Sequence, residues 1–262
     1  MDLGIRGQVA LVAAASKGLG KAAAMALAQE GVRLAICARS DALQATAEEI
    51  RSQTGAEVLA VQADLTDREQ VGALVKQTLA HYGQIDILVL NNAGPPTGGF
   101  LDLGFEDWES AIRTTIMSTL YLCYAAIPQM IERGSGCIIA SQSYLVKQPT
   151  PRLIASNSLR LAVIGLMKTL ANELGPKGIR VNSINPGWIW TDRVEQIMAD
   201  RAKANRTSVE TEAAKVISEV PFGRMGTVEE YGKTIAWLAS PAAGFVHGHA
   251  LLVDGGTVRA AL

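Results

Sequence analysis

Cysteine, histidine and aromatic residues are scarce in this chain, and neither sign of charge dominates it. Its 262 residues include three cysteines, three histidines and few tryptophans, tyrosines or phenylalanines, with 24 basic side chains against 25 acidic ones for a formal net charge of −1. Cys37, Cys123 and Cys137 are odd in number and show neither a CxxC pair nor a Cys/His spacing. That argues against a disulfide framework and a zinc site, and the expectation is three reduced, buried thiols. The balanced charge offers no basic field for nucleic acid and no pull toward an anionic membrane. No apolar run approaches the ~20 residues that span a bilayer. The opening "MDLGIRGQVALV" lacks the charged-then-apolar layout of a secretory signal, so a cytoplasmic protein is expected. His247 and His249 in "FVHGHALLVDGG" have no acidic partner nearby in sequence. They read as a turn or a subunit contact, and no metal is expected.

Hydrophobic residues make up 48% of the chain and charged ones 19%, enough for a sizeable core and too little polarity for wholesale disorder. Short runs rich in Val, Ile and Leu alternate with longer stretches of helical period, the pattern of βαβ units around a parallel sheet. The strand candidates are 8–14, 33–38, 57–62, 85–91, 136–141, 180–184 and 250–254. Their near-continuous apolarity requires cover on both faces. Helices are expected over 19–30, 41–53, 67–81, 106–132, 155–174 and 227–239, several of them opened by capping residues such as Ser40 or Asp41, Thr66 or Asp67, and Thr227 followed by Glu230. The fold class is therefore α/β, a parallel sheet with helices on both faces. No linker, repeat or low-complexity segment interrupts residues 1–262, so a single domain is expected. Residues 192–221 contain no strand but have helical patterning. They suit a flap over a substrate cleft, or else a surface helix pair without ligand contact.

The first strand runs into "AAASKGLGKAAAMALA", where Gly18 and Gly20 stand at the strand-to-helix turn. Backbone amides and a helix N-terminus there can hold a pyrophosphate. Together with "NNAG" at 91–94, "INPG" at 184–187 and "VDGG" at 253–256, this stretch resembles the short-chain dehydrogenase/reductase family, in a divergent form similar to its 3-oxoacyl-carrier-protein reductases. The order and separation of the motifs match over roughly residues 6–256. The resemblance implies one Rossmann-type, doubly wound dinucleotide-binding domain over residues 1–262 with a seven-stranded parallel sheet, a nicotinamide cofactor, a small-molecule substrate and a homotetramer or homodimer.

Carried over position by position, it assigns Ser16, Lys17, Gly18, Leu19 and Gly20 to the phosphate loop, with Ala13 and Ala14 replacing the family's leading Thr-Gly. It assigns Asp64 and Leu65 to adenine, Asn91, Ala93 and Gly94 to the adenosine ribose, and Pro186, Gly187 and Thr191 to the nicotinamide. Asp64 could instead cap a helix, and Asn91 could simply finish a strand. Losing the glycine at position 14 matters only if that position needs positive φ or close backbone approach, and a tightened pocket is expected. After the second strand stand Ala38 and Arg39, where an acidic residue would have accepted ribose hydroxyls. Arginine offers a fork of donors for a phosphate, so NADP(H) is preferred over NAD(H).

At the reaction end the resemblance implies an Asn, Ser, Tyr and Lys set. Here those positions hold Thr115, Ser143, Ser156 and Arg160, so only the serine is kept. An aliphatic hydroxyl is a far weaker acid than a phenol, whose ordinary pKa is about 10, and a guanidinium does not readily relay a proton. The expectation is an oxidoreductase with atypical proton handling, reducing a carbonyl or a conjugated enone, whose enolate needs mainly hydrogen bonds. The alternative is a catalytically inactive nucleotide-binding or regulatory protein. Tyr144 with Lys147 in "SYLVK" is a substitute phenol–ammonium pair if a loop turns Tyr144 inward. Trp188 and Trp190 either present flat surfaces to an apolar substrate or pack beneath the flap.

Overall fold

The computed structural model describes residues 2–261. Seven strands form one parallel sheet: β1 (Val9–Val12), β2 (Arg33–Ala38), β3 (Val58–Gln62), β4 (Ile87–Leu90), β5 (Gly136–Ser141), β6 (Ile179–Pro186) and β7 (Ala250–Val253), in the order β3-β2-β1-β4-β5-β6-β7. Strand order reverses between β1 and β4. In such sheets the crevice beyond the carboxyl ends of the strands at that reversal receives the ligand.

Side-chain alternation explains the three layers. Ala10 and Val12 of β1, with Ile87 and Val89 of β4, join helices α1 (Gly18–Gln29) and α2 (Ala42–Thr54) on one face. Val9 and Leu11, with Leu88 and Leu90, join α3 (Arg68–Tyr82) on the other. This is the period-two alternation of a strand buried on both sides.

The stretch expected as one helix over 106–132 divides into α4 (Phe105–Ile112), a π turn at Arg113–Met117, and α5 (Ser118–Arg133). The hydroxyls of Ser118 and Thr119 bond back to the carbonyls of Thr114 and Thr115. Ser118 N reaches back to Arg113 O across the wider turn, and such π turns often mark functional positions. Helix α6 (Ile154–Leu174) packs against this turn and lies with α5 on the α3 face.

Residues 192–221 hold two helices, α7 (Asp192–Asn205) and α8 (Val209–Ser218). Met198, Ala213 and Val216 form a small core of their own, against which Trp188, Val194 and Ile197 pack. The buried Glu212 carboxylate accepts bonds from Lys215, Thr207 and Asn205. Those donors, the lysine foremost, hold its pKa down at about 2. The excursion leaves and rejoins the sheet at a neck where Gly226 N donates to Trp188 O (2.9 Å) and Trp190 N to Gly226 O (3.0 Å). Helix α9 (Val228–Ala239), opened by the reciprocal Thr227/Glu230 capping box, completes the α1 face. Among the described residues no helix is long and apolar enough to cross a membrane.

Candidate active site

The loop between β1 and α1 is held tightly. Ala13 N donates to Val89 O and Ala15 N to Cys37 O. The Asn91 side-chain amide donates to Ala13 O (3.3 Å) and Ala14 O (3.2 Å). Asn91 therefore does more than finish a strand: it pins the loop. Gly20 sits where a Cβ would lie 2.3 Å from Ala14 O and 2.8 Å from Asn91 Nδ2, so only glycine fits.

Position 14 does need the conformation that glycine favours: Ala14 has φ +49°. A left-handed alanine costs about 1–2 kcal/mol, partly offset because glycine would gain about 0.4–1 kcal/mol of unfolded-state freedom. Ala14→Gly is thus expected to raise unfolding stability by about 0.5–1 kcal/mol. A denaturant melt showing no gain would mean the backbone there is unstrained.

Helix α1 begins at Gly18 with no side-chain cap and no acidic residue in its first turn. Its leading N–H groups are left for an anion. Lys17 is exposed, Ser16 is half-buried with its carbonyl bonded by Thr46, and Leu19 packs against the core. Arg39 is exposed, and its nearest carboxylate is Asp64, at 3.8 Å. Asp64 does not cap a helix as the alternative had it. Its Oδ1 closes a local turn onto Thr66, and Asp67 caps α3 instead. Leu65 is buried, while Ala93 and Gly94 are exposed beyond β4. A Cβ on Gly94 would meet no protein atom within 4 Å. That bare backbone facing open space fits the close approach of a bound dinucleotide. Pro186 ends β6, and Gly187 N donates to Val253 O. Thr191 caps α7 through Val194 N, with its methyl carbon about one van der Waals contact (4.0 Å) from the Cβ position of Gly18. The phosphate loop and the β6–α7 loop therefore adjoin.

At the other end, Ser156 and Arg160 stand one turn apart on α6, and Arg160 Nε donates to Ser156 Oγ at 3.1 Å. Arg160 is 8% exposed. Its Nη1 makes two long bonds of 3.4 Å, to Ser141 O and to Gln142 Oε1. Burial pushes the guanidinium down to about 10, which leaves it cationic at neutral pH. Ser141 Oγ is taken by Tyr231 from α9, a fully buried phenol pushed up to about 12. Ser143 lies just past β5 and accepts Leu145 N at 3.4 Å. Thr115 is fully buried in the π turn and its Oγ1 has no partner.

The substitute pair does not assemble. The strand stops at Ser141, Tyr144 starts a 3-10 turn, and its hydroxyl meets Thr150 Oγ1 at 3.2 Å. Burial raises its pKa, the reverse of what a proton donor needs, and Lys147 is exposed. Trp188 packs into the α7–α8 core under the Arg201 guanidinium, whereas Trp190 is largely exposed. Both ring nitrogens of His247 are engaged, by Val181 N and Ala171 O; it serves a turn. The three thiols are buried and free, pushed by desolvation to about 11 at Cys37 and Cys137 and about 12 at Cys123.

Two polar residues of this cluster escaped the sequence reading. Asn92 donates to Thr115 O at 3.4 Å, and Gln142 bonds Arg160. Asn92 lies inside the "NNAG" motif and Gln142 directly precedes Ser143, which was the available signal. Tyr231 carried none.

Comparison with known proteins finds relatives along nearly the whole chain. A family model described as "Enoyl-(Acyl carrier protein) reductase" matches residues 13–258. The 3-oxoacyl-[acyl-carrier-protein] reductase of Synechocystis sp. is 36% identical over 256 residues, covering 96% of this chain and 97% of that protein. The structure of L-sorbose reductase from Gluconobacter frateurii, complexed with NADPH and L-sorbose, superposes with a TM-score of 0.95 at 32% identity over 99% of this chain and 100% of that one. A short-chain type dehydrogenase/reductase from Mycobacterium marinum gives 0.89 at 32% identity over 99% and 98%.

Proposed function

The chain belongs to the short-chain dehydrogenase/reductase family, and from that premise we propose that it is an NADP(H)-dependent oxidoreductase acting on a carbonyl or conjugated enone small molecule with an atypical proton donor. The observation that carries the reading is the pairing of the uncapped first turn of α1 with a Ser156–Arg160 contact at the positions where the family has Tyr and Lys. Gly18, Gly20 and the open first turn of α1 would hold the pyrophosphate, with Ser16 and Lys17 alongside. Arg39 would hold the 2′-phosphate; Asp64 and Leu65 the adenine; Asn91, Ala93 and Gly94 the ribose; Pro186, Gly187 and Thr191 the nicotinamide. The relatives support this cofactor, since the sorbose reductase is described with NADPH.

When bound, the reduced nicotinamide supplies a hydride. The chain's own part is to stabilise the oxygen on which charge develops. Ser156 Oγ accepts from Arg160 Nε, and Ser143 Oγ accepts from Leu145 N. Each hydroxyl has thus spent a lone pair on an N–H, which leaves its hydrogen free to donate. Under this reading the two donors would together bind an oxyanion, and one donor of this kind is worth about 10²–10³ in rate. Neither serine is acidic enough to surrender its proton. An enolate, stabilised by the two donors and by the Arg160 charge, can wait for water to protonate carbon; a simple alkoxide has no such reprieve. Conjugated enones are therefore favoured over plain ketones. The α7–α8 pair serves as a flap over the cleft, and Trp190 supplies an apolar wall. Assembly as a homotetramer or homodimer is supported by Phe105, Tyr124 and Leu161, all exposed on α4, α5 and α6.

NADPH oxidation against matched ketones and enones tests the reading, and enones are expected to turn over faster. Arg39→Ala is expected to weaken NADPH binding about 10–100-fold, from charge-assisted bonds worth about 1.5–3 kcal/mol, and to leave NADH binding unchanged. Equal losses for both cofactors would remove Arg39 from the phosphate site. Cofactor binding without turnover on any panel member would return the chain to a nucleotide-binding regulatory role.

A further inference from the structure

A recess of about 340 Å³ opens between the β4–α4 loop and the first turn of α6. Its apolar lining comes from Phe100, Pro149, Pro151 and Ile154, and Phe100 is 71% exposed. Its polar members are engaged by protein partners. The Asn157 amide donates to Thr150 O at 2.9 Å, and its Oδ1 accepts Thr150 N at 3.4 Å. The Arg152 guanidinium pairs with Asp102 at 3.2 Å. The recess thus offers an apolar surface without an unpaired charge, of a size that suits an aryl ring or a short alkyl chain. It hangs from the segments that carry the two site hydroxyls. Asn157 follows Ser156 directly, about 100° around α6, and the 149–152 wall descends from Ser143 through Tyr144.

That wall has little backbone bonding of its own. Pro149 and Pro151 carry no N–H. Arg152 is left-handed at φ +62°, a costly conformation that persists only where the surroundings hold it. On one side the hold is the Gly98–Leu153 bridge, with Gly98 N donating to Arg152 O at 2.8 Å. On the other it is Tyr144, whose hydroxyl meets Thr150 Oγ1 at 3.2 Å. The same ring lies against Trp188, with centroids 6.5 Å apart at 49°. Trp188 O in turn accepts Gly226 N at the neck of the α7–α8 pair. Tyr144 is buried, and a phenylalanine would fill its space without the cost of desolvating a hydroxyl. The bond to Thr150 accounts for the hydroxyl.

We propose that Tyr144 is a positioning residue: it ties the 149–152 wall to the root of the α7–α8 pair, and so fixes the width of a recess that receives the apolar end of the substrate. The proposal rests on the oxidoreductase reading for its reaction and names the substrate class of that site, a neutral enone or ketone bearing an aryl or short alkyl group. Tyr144 makes no bond to substrate and moves no proton; its effect passes through Thr150.

The test uses the full chain with saturating NADP+, titrated calorimetrically with benzylideneacetone, which carries a phenyl group, against ethylideneacetone, which carries a methyl. The phenyl compound is expected to bind about 10–100-fold more tightly, from burial of its ring. In Tyr144→Phe that preference is expected to fall about 2–10-fold, the worth of one neutral hydrogen bond, with ethylideneacetone unaffected. Thr150→Val is expected to reproduce the loss, and it reads the contact from the loop side should Tyr144→Phe not fold. The double variant is expected to be no worse than either single one, because both remove the same contact. In turnover the loss should fall on KM for benzylideneacetone with kcat unchanged. Equal binding of the two enones, binding of neither, equal losses for both, losses that add in the double variant, or a fall in kcat at constant KM would each overturn the proposal. NADPH oxidation with no phenyl preference leaves the oxidoreductase reading standing without this inference. Phenyl-selective binding that follows the cycle, with no NADPH oxidation, leaves the recess and its tie standing without that reading.

Discussion

Ser156→Tyr combined with Arg160→Lys is expected to raise kcat/KM for NADPH-dependent reduction of a simple ketone by about 10²–10⁴-fold, the contribution of a positioned acid. The two positions already face each other across one helical turn, with Arg160 Nε 3.1 Å from Ser156 Oγ. A phenol and an ammonium placed there would start in contact. The ammonium would draw the phenol below its ordinary value of about 10, and the pH profile should gain a limb that the parent protein lacks. Neither single substitution is expected to match the pair. Tyrosine alone would face a guanidinium tied to Ser141 and Gln142, while lysine alone would adjoin a serine that cannot release its proton. If the double variant binds NADPH and folds normally but gains no ketone activity, proton supply is not what limits this site.

Gly20→Ala is expected to abolish cofactor binding and to cost at least about 1–3 kcal/mol of stability, the usual range for overpacking. The added carbon would lie 2.3 Å from Ala14 O and 2.9 Å from Ala14 C, both backbone atoms. That backbone cannot easily give way, because Asn91 holds the carbonyls of Ala13 and Ala14 and β4 holds Ala13 N. Gly94→Ala provides the contrast. Its new methyl meets no protein atom, so thermal stability should be unchanged while NADPH titration shows weakened binding. If Gly20→Ala bound NADPH normally, the loop would be more yielding than its bonds imply.

The sheet was readable from sequence because parallel strands buried on both faces leave unbroken apolar runs, and those runs at 33–38 and 136–141 coincide with β2 and β5. Edges were less legible. Strand β6 continues to Pro186 because Asn185 and Pro186 still pair with β7, a tertiary contact that the local run 180–184 does not contain. The π turn at 113–117 was hidden because it sits within an otherwise helical pattern, accompanied only by hydroxyl bonds from Ser118 and Thr119. At the site, the spacing of Ser156 and Arg160 foretold a shared face. Nothing in that spacing could foretell that the guanidinium would be buried without a carboxylate, which depends on what other elements bring alongside. Ala14 is similar: its identity was plain, but its left-handed backbone follows from the bonds Asn91 imposes across the crevice.

The neck formed by Trp188, Trp190 and Gly226 sets α7 and α8 off from the sheet as a cassette, tied down again where Phe222 N donates to Gly255 O. Because its helices α7 and α8 have an apolar centre of their own, the insert can be lengthened, shortened or exchanged while the strands beneath keep their register. Under the function proposed above, Thr191 stays with the cofactor while the two helices beyond it shape what the enzyme admits, so selectivity can evolve in those helices with the cofactor loops left in place.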